Sequence, residues 1–171
     1  MARVTGAVAV DTNTIIETHR VGAWKALASG YRLETVEDVV AETATGFQKR
    51  NPAEQIDQVA LMRSLAAVHA VTPIELATVV LKAEEIQLDA GEKAVWAHLL
   101  TRNDVWMLCG PDKASLRFGV RMGFRERMIS LESLLQDIGM KPKLDLKNAY
   151  SRQWLDANLS QYVVMEQGRK R

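Results

Sequence analysis

Short apolar runs alternate along the chain with segments in which apolar residues recur every three or four positions. The runs that end at Val10 and Cys109 are apolar on both faces, which is typical of strands buried in a parallel sheet. Weaker strand signals lie in 31–36, 86–89 and 127–131. Strands that alternate with helices predict a three-layer α/β/α fold, with a mostly parallel sheet of about five strands between two layers of helices.

The helical segments have recognisable starts and ends. Residues 12–30 have helical spacing and predict one helix that is closed by Gly30. Asn51 followed by Pro52 predicts the start of a longer helix, because proline is favoured at the first helical position. We expect that helix to extend to about residue 70.

Composition narrows the class of protein only a little. The 171 residues are 47% hydrophobic and 25% charged, which suits one ordinary globular domain. A formal net charge of +1 gives no overall attraction to nucleic acid or membrane. The single cysteine, Cys109, excludes an internal disulfide and favours a reducing compartment. The chain reaches Asp11 before a signal-peptide core can form, and no run is apolar for long enough to span a membrane, so we expect a cytoplasmic protein.

Two acids occupy an informative position in this pattern. Asp11 and Asp112 each follow the carboxyl end of a buried strand, where parallel sheets bind their ligands. Each acid also has a structural interpretation, since aspartate is a good helix cap. Asp89 and Glu92 have the spacing of a capping box, and Glu42 taken alone is typical of a solvated helix residue.

The acids gain meaning from their order along the chain. The motifs are DTN after the first strand, VEDVVAET after the second, LDAGE at a helix start and GPDKASLRFGVRMGF after a later strand. This series, from about Val8 to Leu135, resembles the PIN-domain ribonuclease family. The resemblance implies a parallel sheet whose acid cluster binds Mg²⁺ or Mn²⁺ and hydrolyses RNA phosphodiester bonds. It maps the family's acids onto Asp11, Glu42, Glu92 and Asp112, with Asp89 as the rival of Glu92 and Asn13 as a supporting polar residue.

The chemistry of such a cluster favours a hard cation. Two carboxylates about 4 Å apart repel each other by about 4 kcal/mol at an effective dielectric constant near 20. Three or four together raise their own pKa values unless a cation is present. Mg²⁺ prefers oxygen ligands and is usually held by one or two carboxylates, waters and substrate phosphates. We therefore expect a metal-dependent endoribonuclease with a Mg²⁺ or Mn²⁺ cofactor.

A run of basic residues follows the last acid. Lys113, Arg117, Arg121 and Arg125 recur every four residues and would share one helix face that begins beside Asp112. One interpretation is a track for RNA phosphates, which would position the substrate without reading its bases. The alternative is an ordinary solvated helix face.

Two other classes of protein compete with this interpretation. A haloacid-dehalogenase-like phosphatase also places an aspartate after its first strand, but it needs a second aspartate where this chain has Asn13. A receiver domain needs an acidic pair ahead of the phosphorylated aspartate, and none precedes Asp11. A catalytically quiet PIN-like module that binds RNA or a protein is the other alternative, and an antitoxin-like protein would then be one kind of partner.

The C-terminal part of the chain stands apart. The pattern breaks at Pro142, and residues 145–168 predict a helix, so we divide the chain into a PIN-like domain over 4–140 and a helical extension over 141–171. One face of that helix is apolar and must be covered by its own domain or by a second chain, and we expect a homodimer. Trp154 and its neighbours make this face, on which Leu155, Leu159, Tyr162, Val163 and Glu166 follow helical spacing.

Overall fold

Four parallel strands form the sheet in the computed structural model, which describes residues 4–44 and 55–170. The strands are β1 (Ala7–Val10), β2 (Arg32–Val36), β3 (Ala67–His69) and β4 (Trp106–Cys109). Their order across the sheet is β3-β2-β1-β4, and all three pairings are parallel. The predicted α/β class and the parallel sheet are confirmed.

Helices connect and cover these strands. They are α1 (Thr12–Arg20), α2 (Trp24–Gly30), α3 (Glu37–Ala44), α4 (Gln58–Ser64), α5 (Pro73–Ala83), α6 (Ala90–Leu99), α7 (Lys113–Arg121), α8 (Leu131–Asp137) and α9 (Arg152–Arg169). Short 3-10 turns lie at Arg125–Arg127 and Asn148–Tyr150. No helix in the two described ranges is long and apolar enough to cross a membrane.

The two most apolar strands end side by side. Val10 of β1 is paired with Cys109 of β4, so both strands finish at the same level of the sheet. The Thr14 hydroxyl donates to the Cys109 carbonyl (2.9 Å), and the Thr35 hydroxyl donates to the Val10 carbonyl (2.7 Å). These bonds satisfy the carbonyls of Val10 and Cys109 within the protein. Because the two strands end at the same level, the residues that follow them, Asp11 and Gly110, border one crevice.

A buried aromatic group holds the helices that border this crevice. Trp96 of α6 is fully buried and meets Trp106 of β4 and Phe118 of α7 edge-on, with ring centroids 6.2 Å and 5.2 Å away. Its indole N–H donates to the Ser115 hydroxyl (2.8 Å), so its only polar atom is satisfied. This packing fixes α6 against α7 and β4, and with it the relative positions of the two helix starts.

The sheet has fewer strands than the sequence predicts. Residues 86–89 are irregular, and in 127–131 the ladder is reduced to a single bridge between Leu108 and Met128. β3 forms instead at 67–69, in a stretch whose apolar spacing predicts a helix. It forms there because Ala66 N–H bonds to the Leu33 carbonyl (2.7 Å) and the chain then runs parallel to β2.

Two predicted helices also have different bounds. The helix predicted over 12–30 is split into α1 and α2 at Gly22, whose φ of +71° is left-handed and ends α1. The start predicted at Asn51 and Pro52 lies outside the described residues. Downstream of it, α4 begins at Gln58, where the Asp57 carboxylate caps it by accepting from Val59 N–H (2.9 Å).

The C-terminal segment packs on its own domain. α9 lies against α7, and the residues of the predicted face that are buried are Leu155, Leu159, Tyr162 and Glu166. Ahead of it, the Arg20 guanidinium donates to the Asp145 carbonyl (2.7 Å). α7 therefore covers much of the face on which we expected a homodimer. The homodimer stays a prediction, but this face no longer requires it.

Candidate active site

Two helix starts meet at the ends of β1 and β4. Asp11 caps α1 by accepting from Thr14 N–H (2.7 Å), and Asp112 caps α7 by accepting from Ser115 N–H (2.9 Å). The capping interpretation of both acids is therefore confirmed. It uses only the Oδ1 atom of each carboxylate, and Oδ2 takes no part in either cap.

A third helix start borders the same crevice. Asp89 accepts from Glu92 N–H (2.8 Å) at the start of α6, and Glu92 accepts from Asp89 N–H (2.9 Å). This reciprocal pair is the capping box that the spacing predicts. Asp112 also contributes to raising the pKa of Glu92, so the starts of α6 and α7 bring two interacting acids together.

Two glycines let carboxylates approach the backbone closely. A Cβ built on Gly110 would lie 2.9 Å from Asp11 Oδ2, and one built on Gly91 would lie 2.6 Å from both Glu42 carboxylate oxygens. The Thr12 hydroxyl donates to Glu42 Oε2 (2.6 Å). Glu42 of α3 is thus held between the starts of α1 and α6, where the partial positive charge of a helix N-terminus favours a carboxylate.

Burial and neighbouring negative charges raise the pKa values of two of these acids, Asp11 and Glu92. Burial raises the pKa of Asp11 from 3.8 to about 6 against the lowering effect of Thr14, and the charges of Asp112 and Asp89 add to it. Burial also raises the pKa of Glu92 well above its usual range, with further contributions from the hydrogen bond to Asp112 and from its charge. The charges of Asp89 and Asp112 therefore act on both Asp11 and Glu92.

The buried acids elsewhere in the chain are paired with arginine side chains. Glu17 accepts from the Arg20 guanidinium (2.7 Å), Glu34 from Arg102, and Glu166 from Arg121 (2.9 Å). The fold buries all three, which would by itself raise their pKa values, but the hydrogen bonds from arginine hold them below the usual range.

Three of the crevice acids have no such partner in the part of the chain that the structure describes. Within residues 4–44 and 55–170, no lysine or arginine forms an ion pair with Asp11, Glu92 or Asp112. The fold therefore neutralises Glu17, Glu34 and Glu166 internally and leaves these three acids uncompensated. Oxygen-rich, uncompensated negative charge suits a hard divalent cation.

The spacing of the acids also limits how they could bind an ion. Among the described residues, the set of three potential ligands whose donor atoms lie within 4.8 Å of one another is Glu34, His69 and His98, so no three crevice acids converge as closely. Mg²⁺ and Mn²⁺ tolerate this, since they need only one or two carboxylates and take their other ligands from water or phosphate.

The structure bears on the choice of third acid. Asp89 is exposed, and its carboxylate is used in the cap of α6. Glu92 is half-buried and reaches Asp112. Glu92 is therefore the better placed of the two. Asn13 is exposed in the first turn of α1, and its carbonyl accepts from the Tyr150 hydroxyl (3.1 Å).

The predicted basic track is not continuous. α7 ends at Arg121, because Gly123 has a φ of +82° and turns the chain before Arg125. Arg117 and Arg121 both bond to Glu166 of α9 (2.9 Å each). Lys113 is exposed beside Asp112 and forms no ion pair with a described acid. The geometry gives the two arginines a structural role, and their contact with RNA stays a prediction.

Several residues of the crevice carry no sequence signal of their own. Thr12 is a residue type that is ordinary next to a helix cap. Tyr150 contacts Asn13, which lies 137 positions earlier in the chain. Gly91 is the exception, because glycine inside the first turn of a helix is unfavourable and therefore indicates a close contact.

One of the three histidines lies on a different kind of element from the one that the sequence predicts. The sequence predicts His19, His69 and His98 on three separate helices, without ligand spacing. His69 lies instead on β3, where its ring stacks on that of His98 with centroids 3.9 Å apart. His69 Nε2 lies 2.8 Å from Glu34 Oε2. The pairing of β3 with β2 creates this cluster.

Comparisons of the chain with protein-family models, with curated proteins and with solved structures found no match in any of the three. The site itself is therefore the basis on which a function can be proposed.

Proposed function

We propose that this chain is a PIN-like metal-dependent endoribonuclease that hydrolyses RNA phosphodiester bonds at Asp11, Glu42, Glu92 and Asp112. The observation that supports it most is the contrast between the half-buried acids of the crevice and the buried acids elsewhere in the chain. Those at the strand ends lack a basic partner, and Asp11 and Glu92 have raised pKa values, whereas Glu17 and its counterparts are paired with arginine. Carboxylates with strongly perturbed pKa values cluster at functional sites.

Mg²⁺ or Mn²⁺ is the proposed cofactor. Asp11 and Asp112 would hold it through the Oδ2 atoms that the caps do not use, with Glu92 or Asp89 on one side and Glu42 on the other. A bound ion supplies a lowered pKa for the attacking water and neutralises charge on the phosphoryl group. The donor set fits this role, because it consists of carboxylates and contains no thiolate or imidazole.

The protein's own residues supply rigidity and proton control. The Thr14 and Ser115 amides fix the rotamers of Asp11 and Asp112, and the Thr12 hydroxyl fixes Glu42. Burial and the neighbouring Asp112 raise the pKa of Glu92, which favours the protonated carboxyl in the metal-free protein. A cation must displace that proton, so metal affinity should increase with pH.

RNA is the proposed substrate and partner. Lys113 stands exposed at the first position of α7, one residue from Asp112, where an ammonium group can contact a phosphate next to the cleaved bond. Such a contact would position the backbone without selecting a base.

The decisive experiment replaces one oxygen of the cluster. Asp11→Asn keeps nearly the same size and caps about as well, so it should change the free energy of unfolding by only a few tenths of a kcal/mol through the cap. If Asp11 is a metal ligand, asparagine cannot supply its negative charge, and Mg²⁺- or Mn²⁺-dependent cleavage of RNA should be lost. The rise in melting temperature on adding Mn²⁺ should shrink as well.

Asp57→Asn is the matched control. Asp57 likewise caps a helix start, by accepting from Val59 N–H at the start of α4, but lies outside the crevice, so its variant should cleave RNA at the wild-type rate. Wild-type cleavage by Asp11→Asn, with an unchanged response to Mn²⁺, would refute the metal site and leave only the cap. RNA binding by the wild-type protein without any metal-dependent cleavage would favour the catalytically quiet module.

A further inference from the structure

A second cluster of ligand atoms lies at the other end of α6. His98 is six residues beyond Glu92, which places it about 9 Å further along the helix axis. Glu34 belongs to β2, in the interior of the sheet, and is almost fully buried. His69 belongs to β3 and is partly exposed. The cluster therefore has a buried floor and one side open to solvent, and it is separate from the acid crevice.

The three side chains converge closely. One ligand atom from each of Glu34, His69 and His98 lies within 4.8 Å of the other two. Atoms bound to one Zn²⁺ at about 2.1 Å in a tetrahedral arrangement lie about 3.4 Å apart. The widest pair would therefore need to close by up to about 1.4 Å, which rotations of the two partly exposed imidazole rings can supply.

A cationic group already occupies the centre of this cluster. Arg102 NH1 donates to Glu34 Oε2 and lies 3.3 Å from His98 Nε2. The same Glu34 oxygen is 2.8 Å from His69 Nε2. The positive charge of Arg102 thus lies between the Glu34 carboxylate and the His98 imidazole, close to where a metal ion would find its ligands.

Arg102 has a second partner that could retain it. Its guanidinium forms two bonds with Asp104, from Nε to Oδ1 (2.8 Å) and from NH2 to Oδ2 (2.6 Å). Arg102 can therefore release Glu34 and remain paired with Asp104. Arg32, which bonds to the other oxygen of Glu34, is exposed and can also turn away.

We propose that Glu34, His69 and His98 form a binding site for a first-row transition-metal ion such as Zn²⁺ or Co²⁺, in competition with the guanidinium of Arg102. Two imidazoles and one carboxylate suit these borderline ions and not the hard Mg²⁺ proposed for the crevice. The donors come from two strands and one helix, so a bound ion would tie the edge strand β3 to β2 and α6. This proposal does not depend on the proposed nuclease function.

The test measures Co²⁺ and Zn²⁺ binding with excess Mg²⁺ present to occupy the acid crevice. The wild-type protein should show a visible Co²⁺ absorption band and a melting temperature that rises with Zn²⁺. His69→Ala and His98→Ala should each weaken Co²⁺ binding by about tenfold or more. His19→Ala is the matched control, because His19 stacks on Trp24 away from the cluster, and it should bind as the wild-type protein does.

Arg102→Gln supplies an independent measurement. The amide can still donate to Glu34, but the competing charge is removed, so Co²⁺ should bind about tenfold tighter than to the wild-type protein. The proposal is overturned if the wild-type protein binds neither ion, or if His69→Ala and His98→Ala bind as well as His19→Ala. Should either histidine variant fail to fold, unchanged affinity in Arg102→Gln would be enough to overturn it.

Discussion

The Glu42 carboxylate lies against the backbone of Gly91, so that a Cβ at Gly91 would come within 2.6 Å of both carboxylate oxygens. The Thr12 hydroxyl also donates to Glu42, so a shift of the carboxylate away from residue 91 would disturb this hydrogen bond. The absence of a side chain at residue 91 is therefore a condition for the geometry of the acid crevice.

Gly91→Ala should impair the crevice without unfolding the protein. Alanine is the better helix former by about 1 kcal/mol, which offsets part of the clash. The displaced Glu42 should lower RNA cleavage by about a hundredfold, as is typical of displacements near 1 Å at a reactive site. Gly168→Ala, at a helical glycine with open space around it, is the control and should leave the rate unchanged. Equal rates in both variants would show that the position of Glu42 does not matter.

The stability of the metal-free protein should depend on pH in an unusual direction. The pKa of Asp11 is raised from 3.8 to about 6 in the folded state, so the folded state binds more protons than the unfolded state between these values. Stability from this group is therefore fully present below pH 3.8 and is lost as the pH rises through 6. Glu92 shifts in the same direction and extends the loss to higher pH.

Melting curves in EDTA would check this. The loss of stability above pH 4 should be smaller in Asp11→Asn, which has no charge to lose. Added Mn²⁺ should also reduce it in the wild-type protein. A wild-type profile identical to that of Asp11→Asn would contradict the raised pKa.

Arg121 should matter for stability. Its side chain and that of Glu166 are both largely buried, 7% and 8% exposed, and join α7 to α9 at 2.9 Å. Breaking a buried pair typically costs about 3–5 kcal/mol, and we expect about 2 kcal/mol for Arg121→Ala because Arg117 still bonds to Glu166. Arg125→Ala, at a half-exposed residue beyond the helix, should change the free energy of unfolding by less than about 0.5 kcal/mol. Urea denaturation of both variants would measure the difference.

Lys113 should matter for RNA affinity. Lys113→Ala should weaken binding to single-stranded RNA of any sequence and flatten its salt dependence by about 0.7 log unit, the value for one lost phosphate contact. Binding titrations at several salt concentrations would measure this slope. An unaltered slope would place Lys113 outside the RNA contact.

The α7–α9 interface should be a major source of stability. Leu159→Ala should lower the free energy of unfolding by about 2–5 kcal/mol, because the side chain is 5% exposed. Val164→Ala, 69% exposed on the same helix, should have almost no effect.

Light scattering on the wild-type protein would show whether a homodimer forms through another face.

The sequence was sufficient where local signals decide the structure. Buried apolar runs end at Val10 and Cys109, and a parallel sheet brings their ends together, so the positions of Asp11 and Asp112 follow from pattern alone. The caps at Asp11, Asp89 and Asp112 follow from short-range chemistry in the same way.

Partners far apart in the chain decide the features that sequence reasoning missed. Val68 and His69 have apolar spacing that fits a helix, and only the open edge of β2 makes them a strand. The spacing of Arg117 and Arg121 is the same for an RNA track as for an ion-pair ladder, and Glu166 lies 45 positions beyond Arg121. Periodicity reports which residues share a face, and it does not report what that face meets.

The pairing of β1 with β4 also sets the order in which the protein can mature during synthesis. Asp11 leaves the ribosome about a hundred residues before Asp112, and the Tyr150–Asn13 contact joins residues 137 positions apart. At about 5–20 residues per second, the acids remain separated for several seconds while the rest of the chain is made. The acid crevice is therefore incomplete until β4 has been synthesised and has paired with β1.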